Sequence, residues 1–272
     1  MREENFFNYQ NFKWMWVHLI ALLVIIVIYV LHDPVGLPAG DTWLGYTLGV
    51  LAAAGMTGLM WFAIRKRAYY SSKTTLKGAL AVHFWLGLSL AFVVPMHCGF
   101  SFGWNVHTLA YLFMMLTIGT GIWGAVVYLT LAPDIGSHRG KGSTKELLEK
   151  LSLTSGAADA LTLKKSPQYL EFARKLDFSF TPSIRDSILR EKIPAIEQAS
   201  LADEIASLNA DEQTDAVKFI GIIARKIDLI NLIRQEVRVQ FWLKIWLYFH
   251  VPLACASFLL LIIHIISVFY FW

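Results

Sequence analysis

The sequence predicts an all-α membrane protein with five transmembrane helices and a helical insertion between the fourth and the fifth. Of its 272 residues, 56% are hydrophobic and only 16% are charged, whereas soluble domains carry about 25% charged residues. Residues 133–240 hold 32 charged side chains, 16 basic and 16 acidic, and the other 164 residues hold only 12. This distribution excludes an ordinary soluble globule, a disordered chain and a coiled coil.

Five stretches have the roughly 20 apolar residues that a helix needs to cross a bilayer. They are Trp14–His32, Trp43–Ile64, Gly78–Cys98, Val106–Leu131 and Trp242–Tyr270. The predicted domains are therefore 1–132 with four transmembrane helices, the insertion 133–240, and 241–272 with the fifth. We expect the first span to be retained, because it is longer than the apolar region of a signal peptide and no small-residue cleavage site directly follows it.

The basic residues outside the insertion predict the orientation. There are eight such lysines and arginines, and with five spans all of them fall on one face of the membrane. The opposite face carries only Asp33 and Asp41 as charged side chains. By the positive-inside rule, the N-terminus and residues 133–240 are cytoplasmic and the C-terminus is outside. We expect a multi-pass protein of the cytoplasmic (inner) membrane, surrounded by lipid and without a nucleic-acid partner.

The insertion is predicted to be helical. Ser143 with Glu146 resembles a capping box, Ser166 precedes a proline at the first helical position, and Asn209 with Glu212 marks the start of a long helix. The apolar residues of that helix keep a helical spacing, and no helix breaker separates it from the fifth span. They are Val217, Ile220, Ile223, Ile227, Ile230 and Ile233.

We predict that the insertion is a bracing or docking element, with Ile223, Ile227 and Ile230 either holding the fifth span or presenting an apolar face to a partner subunit. It contains no G-x-G-x-x-G and no Walker A motif. We therefore expect no flavin, nicotinamide or ATP site in it.

Seven of the eight histidines lie in or at the ends of the apolar spans, where ionisable side chains are costly and usually functional. Three pairs are 14 residues apart, whereas random placement gives roughly 0.2 such pairs. These pairs are His18 with His32, His83 with His97, and His250 with His264. Fourteen residues rise about 21 Å and turn about 1,400°, which is about 40° short of four turns. Both histidines of a pair therefore share one helix face at two depths.

Two helices that carry such pairs can form two bis-imidazole sites, one near each membrane surface. The third and fifth spans run in the same direction, so we pair His83 with His250 near the cytoplasm and His97 with His264 near the outside. Imidazole is a common axial ligand of haem iron, and the flat macrocycle suits the apolar space between helices. We predict two haem b groups whose iron atoms are held by these four histidines.

The two cysteines, Cys98 and Cys255, are predicted to be packing residues. No Cys-x-x-Cys-His motif is present, so covalent attachment of the haems is excluded. Pro95 and Pro252 each lie two residues from a paired histidine. Each proline either frees a backbone carbonyl that orients the imidazole or simply kinks its helix.

Four segments carry a resemblance to a known family: AVH at 81–83, MHCGFSFGWNVHT at 96–108, WLYFHVPL at 246–253 and HIISVFY at 264–270. They resemble bacterial membrane cytochromes b, a broad di-haem group that includes ferric reductase transmembrane domains and respiratory cytochrome b subunits. The resemblance implies electron transfer through two b haems. Unlike flavin-bearing ferric reductases, this chain lacks a flavin or nicotinamide domain, which argues against self-sufficient reductase activity.

The remaining histidines leave alternatives open. His18, His32 and His107 either bind a third haem, contact a haem propionate or a quinone, or only pack. His18 and His32 could also replace one partner helix of the proposed pairs, and His32 and His107 could meet at the outer surface. His138 lies in a charged loop and is predicted to be solvated.

We therefore expect an integral membrane di-haem cytochrome b that carries electrons between a quinol pool or a redox partner protein and an acceptor on the other side. No residue is assigned a catalytic role, and a subunit of a respiratory-chain oxidoreductase is favoured over a self-sufficient enzyme. One alternative is a non-redox membrane scaffold or assembly protein. Another is a terminal reductase of metal ions or oxygen, which needs an open haem face or an outer substrate site, and the four proposed ligands leave neither.

Overall fold

The computed structural model describes residues 5–32, 40–67, 75–131, 144–177, 185, 187, 192–196 and 201–270. Within these ranges the regular structure is helical and no strand is present. The helices are α1 (Tyr9–Leu31), α2 (Trp43–Arg67), α3 (Leu76–His97), α4 (Val106–Leu131), α5 (Thr144–Thr162), α6 (Pro167–Leu176), α7 (Ala202–Ala206) and α8 (Ala210–Tyr270).

Five helices are long and apolar enough to cross a membrane: α1, α2, α3, α4 and α8. Large apolar side chains on them remain exposed in the isolated chain, including Leu23, Val30 and Leu259. Such a surface is stable in contact with lipid tails, because exposure of apolar side chains to water is unfavourable. The protein is thus an all-α multi-pass membrane protein, and the predicted fold class is confirmed.

One compact unit consists of residues 1–125 and 246–272. Helix α3 packs against both α1 and α2, around a core that includes Leu48, Leu90 and Met114. The Thr75 hydroxyl accepts a hydrogen bond from the Gly78 amide and donates one of 2.9 Å to the Tyr9 hydroxyl. The start of α3 is therefore both capped and tied to the start of α1.

Residues 126–245 form the second compact unit. The apolar residues of the first half of α8 are buried there against α5 and α6; Ile223 and Ile230 are 0% exposed and Ile227 is 4% exposed. This face is consequently occupied within the unit, and it is not an open docking surface for a partner. Val217, which we predicted to belong to the same face, is half exposed.

The predicted helix starts in this unit can be compared with the structure. Ser166 is the N-cap of α6, with its hydroxyl accepting from the Tyr169 amide and Pro167 in the first turn, which confirms the prediction. Glu212 binds that same serine, accepting from its amide at 2.8 Å and from its hydroxyl at 2.6 Å. These hydrogen bonds hold the pKa of the Glu212 carboxyl below its usual value. Ser143 lies outside the described residues.

Helix α8 continues without a break from Ala210 to Tyr270, with Pro252 inside it. The amphipathic stretch and the fifth span are thus one helix, as the absence of a helix breaker suggested. His250 and His264 both lie on its apolar second half.

Candidate functional site

The two histidine pairs expected from the 14-residue spacing do lie close together. The His83 ring on α3 is 6.5 Å from the His250 ring on α8, measured between ring centroids, and the ring planes are inclined by 64°. The His97 ring at the end of α3 is 6.2 Å from the His264 ring on α8, with an inclination of 84°. We call the first pair the inner site and the second pair the outer site.

Both separations suit a metal ion held between two imidazoles. A bond from metal to imidazole nitrogen is about 2.0 Å long, and a ring nitrogen lies about 1.1 Å from the ring centre, so the centres of two rings that face each other across a metal are roughly 6.2 Å apart. Each site offers two imidazoles. The described residues contain no group of three or more His, Cys, Asp or Glu side chains that could hold a bare ion. Haem iron needs only two protein ligands, because the macrocycle supplies the others.

At the outer site, a backbone carbonyl determines which nitrogen of His97 is protonated. The Nδ1 atom of His97 lies 2.7 Å from the Gly45 carbonyl oxygen. A carbonyl only accepts hydrogen bonds, so Nδ1 carries the proton of the neutral imidazole. The lone pair is therefore on Nε2, where a metal ion can bind.

At the inner site, a threonine hydroxyl determines the tautomer of His250 by a similar argument. The Thr120 hydroxyl oxygen lies 2.9 Å from Nδ1 of His250 and donates its only proton to the Thr117 carbonyl at 2.8 Å. With its proton given to that carbonyl, the hydroxyl accepts a hydrogen bond from His250, so that Nδ1 is protonated and Nε2 is available as a ligand. In metal sites such bonds from the second ring nitrogen fix the orientation of the ligand and increase its basicity.

His83 differs from the other three histidines. Its Nδ1 atom is buried and has no hydrogen-bond partner among the residues that the structure describes. The ring contacts Phe62, with 4.8 Å between ring centroids, and lines a cavity of about 400 Å³ between α1, α2 and α3. Tyr9, Trp14, Trp61 and Thr75 also line this cavity.

Two glycines allow a close approach of aromatic side chains to helices α2 and α4. A Cβ atom on Gly49 would lie 2.6 Å from Cε1 and 2.8 Å from Nδ1 of His97. A Cβ atom on Gly124 would lie 2.4 Å from Nε1 of Trp246, whose ring in turn contacts His250 at 5.3 Å between ring centroids. A larger residue at either position would displace the ring beside it.

The partners of the paired histidines were not identified from the sequence. Gly45 and Gly49 form a small-x-x-x-small motif, a signal of close helix approach that was present in the sequence. Thr120 was visible as a polar residue in an apolar span. The carbonyl partner of His97 comes from α2, so the carbonyl that Pro95 frees does not orient this imidazole.

The remaining histidines are placed as follows. His107 contacts His264, with Nδ1 facing Nδ1 and 4.4 Å between ring centroids. His18 bonds through Nδ1 to the Trp14 carbonyl of its own helix at 2.7 Å, and His32 contacts the Trp43 ring. Neither has a ring contact with the four paired histidines within the described part of the chain. His138 lies outside the described residues.

We expect Gly49→Ala to displace the His97 imidazole and break its bond to the Gly45 carbonyl, because the new methyl group has no space. The cost of such overpacking is about 1–3 kcal/mol, so the thermal unfolding midpoint of the purified protein in detergent should fall. Gly119→Ala on α4 is the matched control, since a Cβ there meets nothing within 4 Å. An equal effect of both variants would contradict the close contact between Gly49 and His97.

No family model, no curated protein and no solved structure matches this chain. The function is therefore inferred from the chemistry and geometry of these side chains and from the resemblance of the histidine-bearing segments to membrane cytochromes b.

Proposed function

We propose that this protein is a membrane cytochrome b that transfers electrons across the bilayer through two non-covalent b haems. His83 and His250 would hold the iron of the inner haem, and His97 and His264 that of the outer haem. The chain would serve as an electron-transport subunit of a respiratory or quinol-linked oxidoreductase, delivering electrons to or from a redox partner protein.

The observation that carries this proposal is the presence of two imidazole pairs on the same two helices, each with a separation between ring centroids that is compatible with a metal ion between the rings. A histidine that only packs in a membrane bundle needs one hydrogen-bond acceptor and no second imidazole about 6 Å away. The same two helices form a second imidazole pair with a similar separation. Chance alone therefore explains the proximity of these imidazoles poorly.

The chain's own residues perform three tasks in this proposal. The four imidazoles would supply the protein ligands of both irons, two for each, which would leave neither site open for oxygen or a metal-ion substrate. The bonds from His97 to Gly45 and from His250 to Thr120 fix the ring orientations. Buried apolar residues that include Leu90, midway between His83 and His97, exclude water from the core. When bound, haem supplies reversible one-electron reduction of its iron.

The purified protein should contain two haems per chain, and acid-acetone should extract both. His97→Ala or His264→Ala should remove one haem, and His83→Ala or His250→Ala should remove the other, because each pair holds its own iron. The measurement is the dithionite-reduced absorbance spectrum with the haem-to-protein ratio. His18→Ala, on a histidine outside both pairs, is the control. Purified protein without haem would contradict the proposal and favour the alternative of a non-redox membrane scaffold. Loss of a haem in His18→Ala, but not in one of the four paired-histidine variants, would contradict the proposed pairing.

We further propose quinol or quinone as the small electron carrier at the inner site. If Nε2 of His83 binds iron, its Nδ1 carries a proton that has no acceptor among the described residues. Leaving such a donor unpaired costs about 1–3 kcal/mol. The adjoining aromatic-lined cavity of about 400 Å³, which the His83 residue helps to line, has the size for a quinone ring.

Gly58→Leu should impair the reaction with quinol, because Gly58 lines this cavity and a side chain there extends into open space. Short-chain ubiquinol and menaquinol are mixed with the oxidised protein, and haem reduction is followed by stopped-flow absorbance. We expect at least about a tenfold slower reduction by the quinol, with unchanged reduction by dithionite. Gly119→Leu serves as the control; wild-type rates in Gly58→Leu would exclude this cavity as the quinol site.

We propose that the protein lies in the cytoplasmic membrane with its N-terminus and residues 133–240 in the cytoplasm and its C-terminus outside. The support is the placement of all eight basic residues outside the insertion on one face. The insertion would then brace the bundle or contact a cytoplasmic partner through its charged surface, since its apolar helix face is internal.

A reporter fused after Trp272 tests this orientation. Alkaline phosphatase, which is active only outside the cytoplasm, should be active there, and a cytoplasm-dependent fluorescent protein should be dark. The same reporters fused within 133–143 should give the opposite pattern. Fluorescence of the fusion after Trp272 would show that the orientation is inverted.

A further inference from the structure

Three imidazoles follow one another at the outer site. His264 lies between His97, at 6.2 Å between ring centroids, and His107, at 4.4 Å. The first distance accommodates a metal ion between the rings, and the second does not, because the two Nδ1 atoms of His264 and His107 are in direct contact. His107 therefore contacts the ring of the proposed ligand His264 directly, whereas His97 is separated from that ring by a gap the size of a metal ion.

Hydrogen bonds within the segment 96–108, described above as similar to membrane cytochromes b, hold His107 in this position. Asn105 directly precedes α4 and caps it, accepting through its side chain from the Thr108 amide at 3.0 Å and through its carbonyl from the Leu109 amide at 3.2 Å. The Thr108 hydroxyl accepts from the Gly103 amide at 3.2 Å. These bonds order the first turn of α4, in which His107 lies.

The proton positions at this contact follow from the role of His264. If the Nε2 lone pair of His264 is used for iron, the proton of the neutral ring is on Nδ1. That proton can only be donated to Nδ1 of His107, which must accept it with its lone pair. The proton of His107 is then on its own Nε2.

We propose that His107 is a positioning residue of the outer site, whose Nδ1 accepts the Nδ1–H of His264. The inference rests on the proposed haem ligation by His264. The hydrogen bond orients the His264 ring and increases its electron donation to the iron. An imidazole nitrogen is a stronger base than the carbonyl that serves His97 or the hydroxyl that serves His250, so the effect on the ligand is largest at the outer site.

Stronger donation favours the oxidised iron, so removing the acceptor should raise the reduction potential of the outer haem. His107→Phe keeps a ring but no acceptor, His107→Ala removes the ring, and His107→Gln retains an oxygen that can accept. His18→Phe is the control, because the Nδ1 of His18 bonds within its own helix.

The experiment is a potentiometric titration of the purified holoprotein, followed by α-band absorbance, with electron paramagnetic resonance of the oxidised haems. The outer haem is identified as the one lost in His97→Ala. We expect His107→Phe and His107→Ala to retain both haems. In each variant the equilibrium of an electron between the inner and the outer haem should shift about tenfold toward the outer haem, and this shift equals about 59 mV for one electron. The outer-haem resonance should change and the inner potential should not. The outer potential of His107→Gln should lie between those of the other two variants and wild type, because an amide oxygen accepts the hydrogen bond but is a weaker base than an imidazole nitrogen.

Unchanged potentials and resonances in both His107→Phe and His107→Ala would overturn the inference while leaving the di-haem proposal intact. Loss of the outer haem in all three His107 variants would also overturn it, because His107 would then be a ligand. A wild-type protein with no haem would overturn the proposed function itself, and the two failures are therefore distinguishable.

Discussion

An imidazole inside an apolar helix bundle has two nitrogen atoms, and the rest of the site depends on how both are satisfied. One nitrogen carries a proton that needs an acceptor, and the other carries a lone pair that needs a donor or a metal ion. His97 and His250 give their protons to Gly45 and Thr120 and keep Nε2 available. Gly49 and Gly124 serve the same requirement, because they allow the rings of His97 and Trp246 to approach the helix backbone closely. The hydrogen bonds of Gly103 and Asn105 serve it as well, because they order the start of α4 beside His107.

The sequence predicted the part of this arrangement that depends on helix periodicity. A spacing of 14 residues places His83 and His97 on one face of α3, and the same spacing on α8 makes a matching partner. The structure brings those two faces together. The continuous helix α8 and the cap at Ser166 followed from equally local rules, namely the absence of a breaker and the preference of serine for the N-cap.

The hydrogen-bond partners of the histidines could not be predicted in the same way. The Gly45 carbonyl is a backbone atom 52 residues away from His97 in the chain, and no residue type marks it. The contact between His107 and His264 joins residues 157 apart and depends on where α4 starts relative to α8. The apolar face of α8 was correctly recognised as amphipathic. Whether a partner or the chain itself covers such a face is decided by tertiary packing, and Ile223 and Ile230 are covered internally.

The two sites differ in one respect that bears on how electrons would enter and leave. At the outer site the Nδ1 atoms of both paired histidines have partners within the bundle, from Gly45 and His107. At the inner site, Nδ1 of His250 has a hydrogen-bond partner in Thr120. Nδ1 of His83 is buried without a partner among the described residues, and the His83 residue lines a cavity. If Nε2 of His83 held iron, its Nδ1–H would be a buried donor without an acceptor among the described residues, which costs about 1–3 kcal/mol. In the proposed cytochrome, the inner site is therefore the less completely satisfied of the two, and the cavity beside it makes it the expected place for exchange with a lipid-soluble carrier.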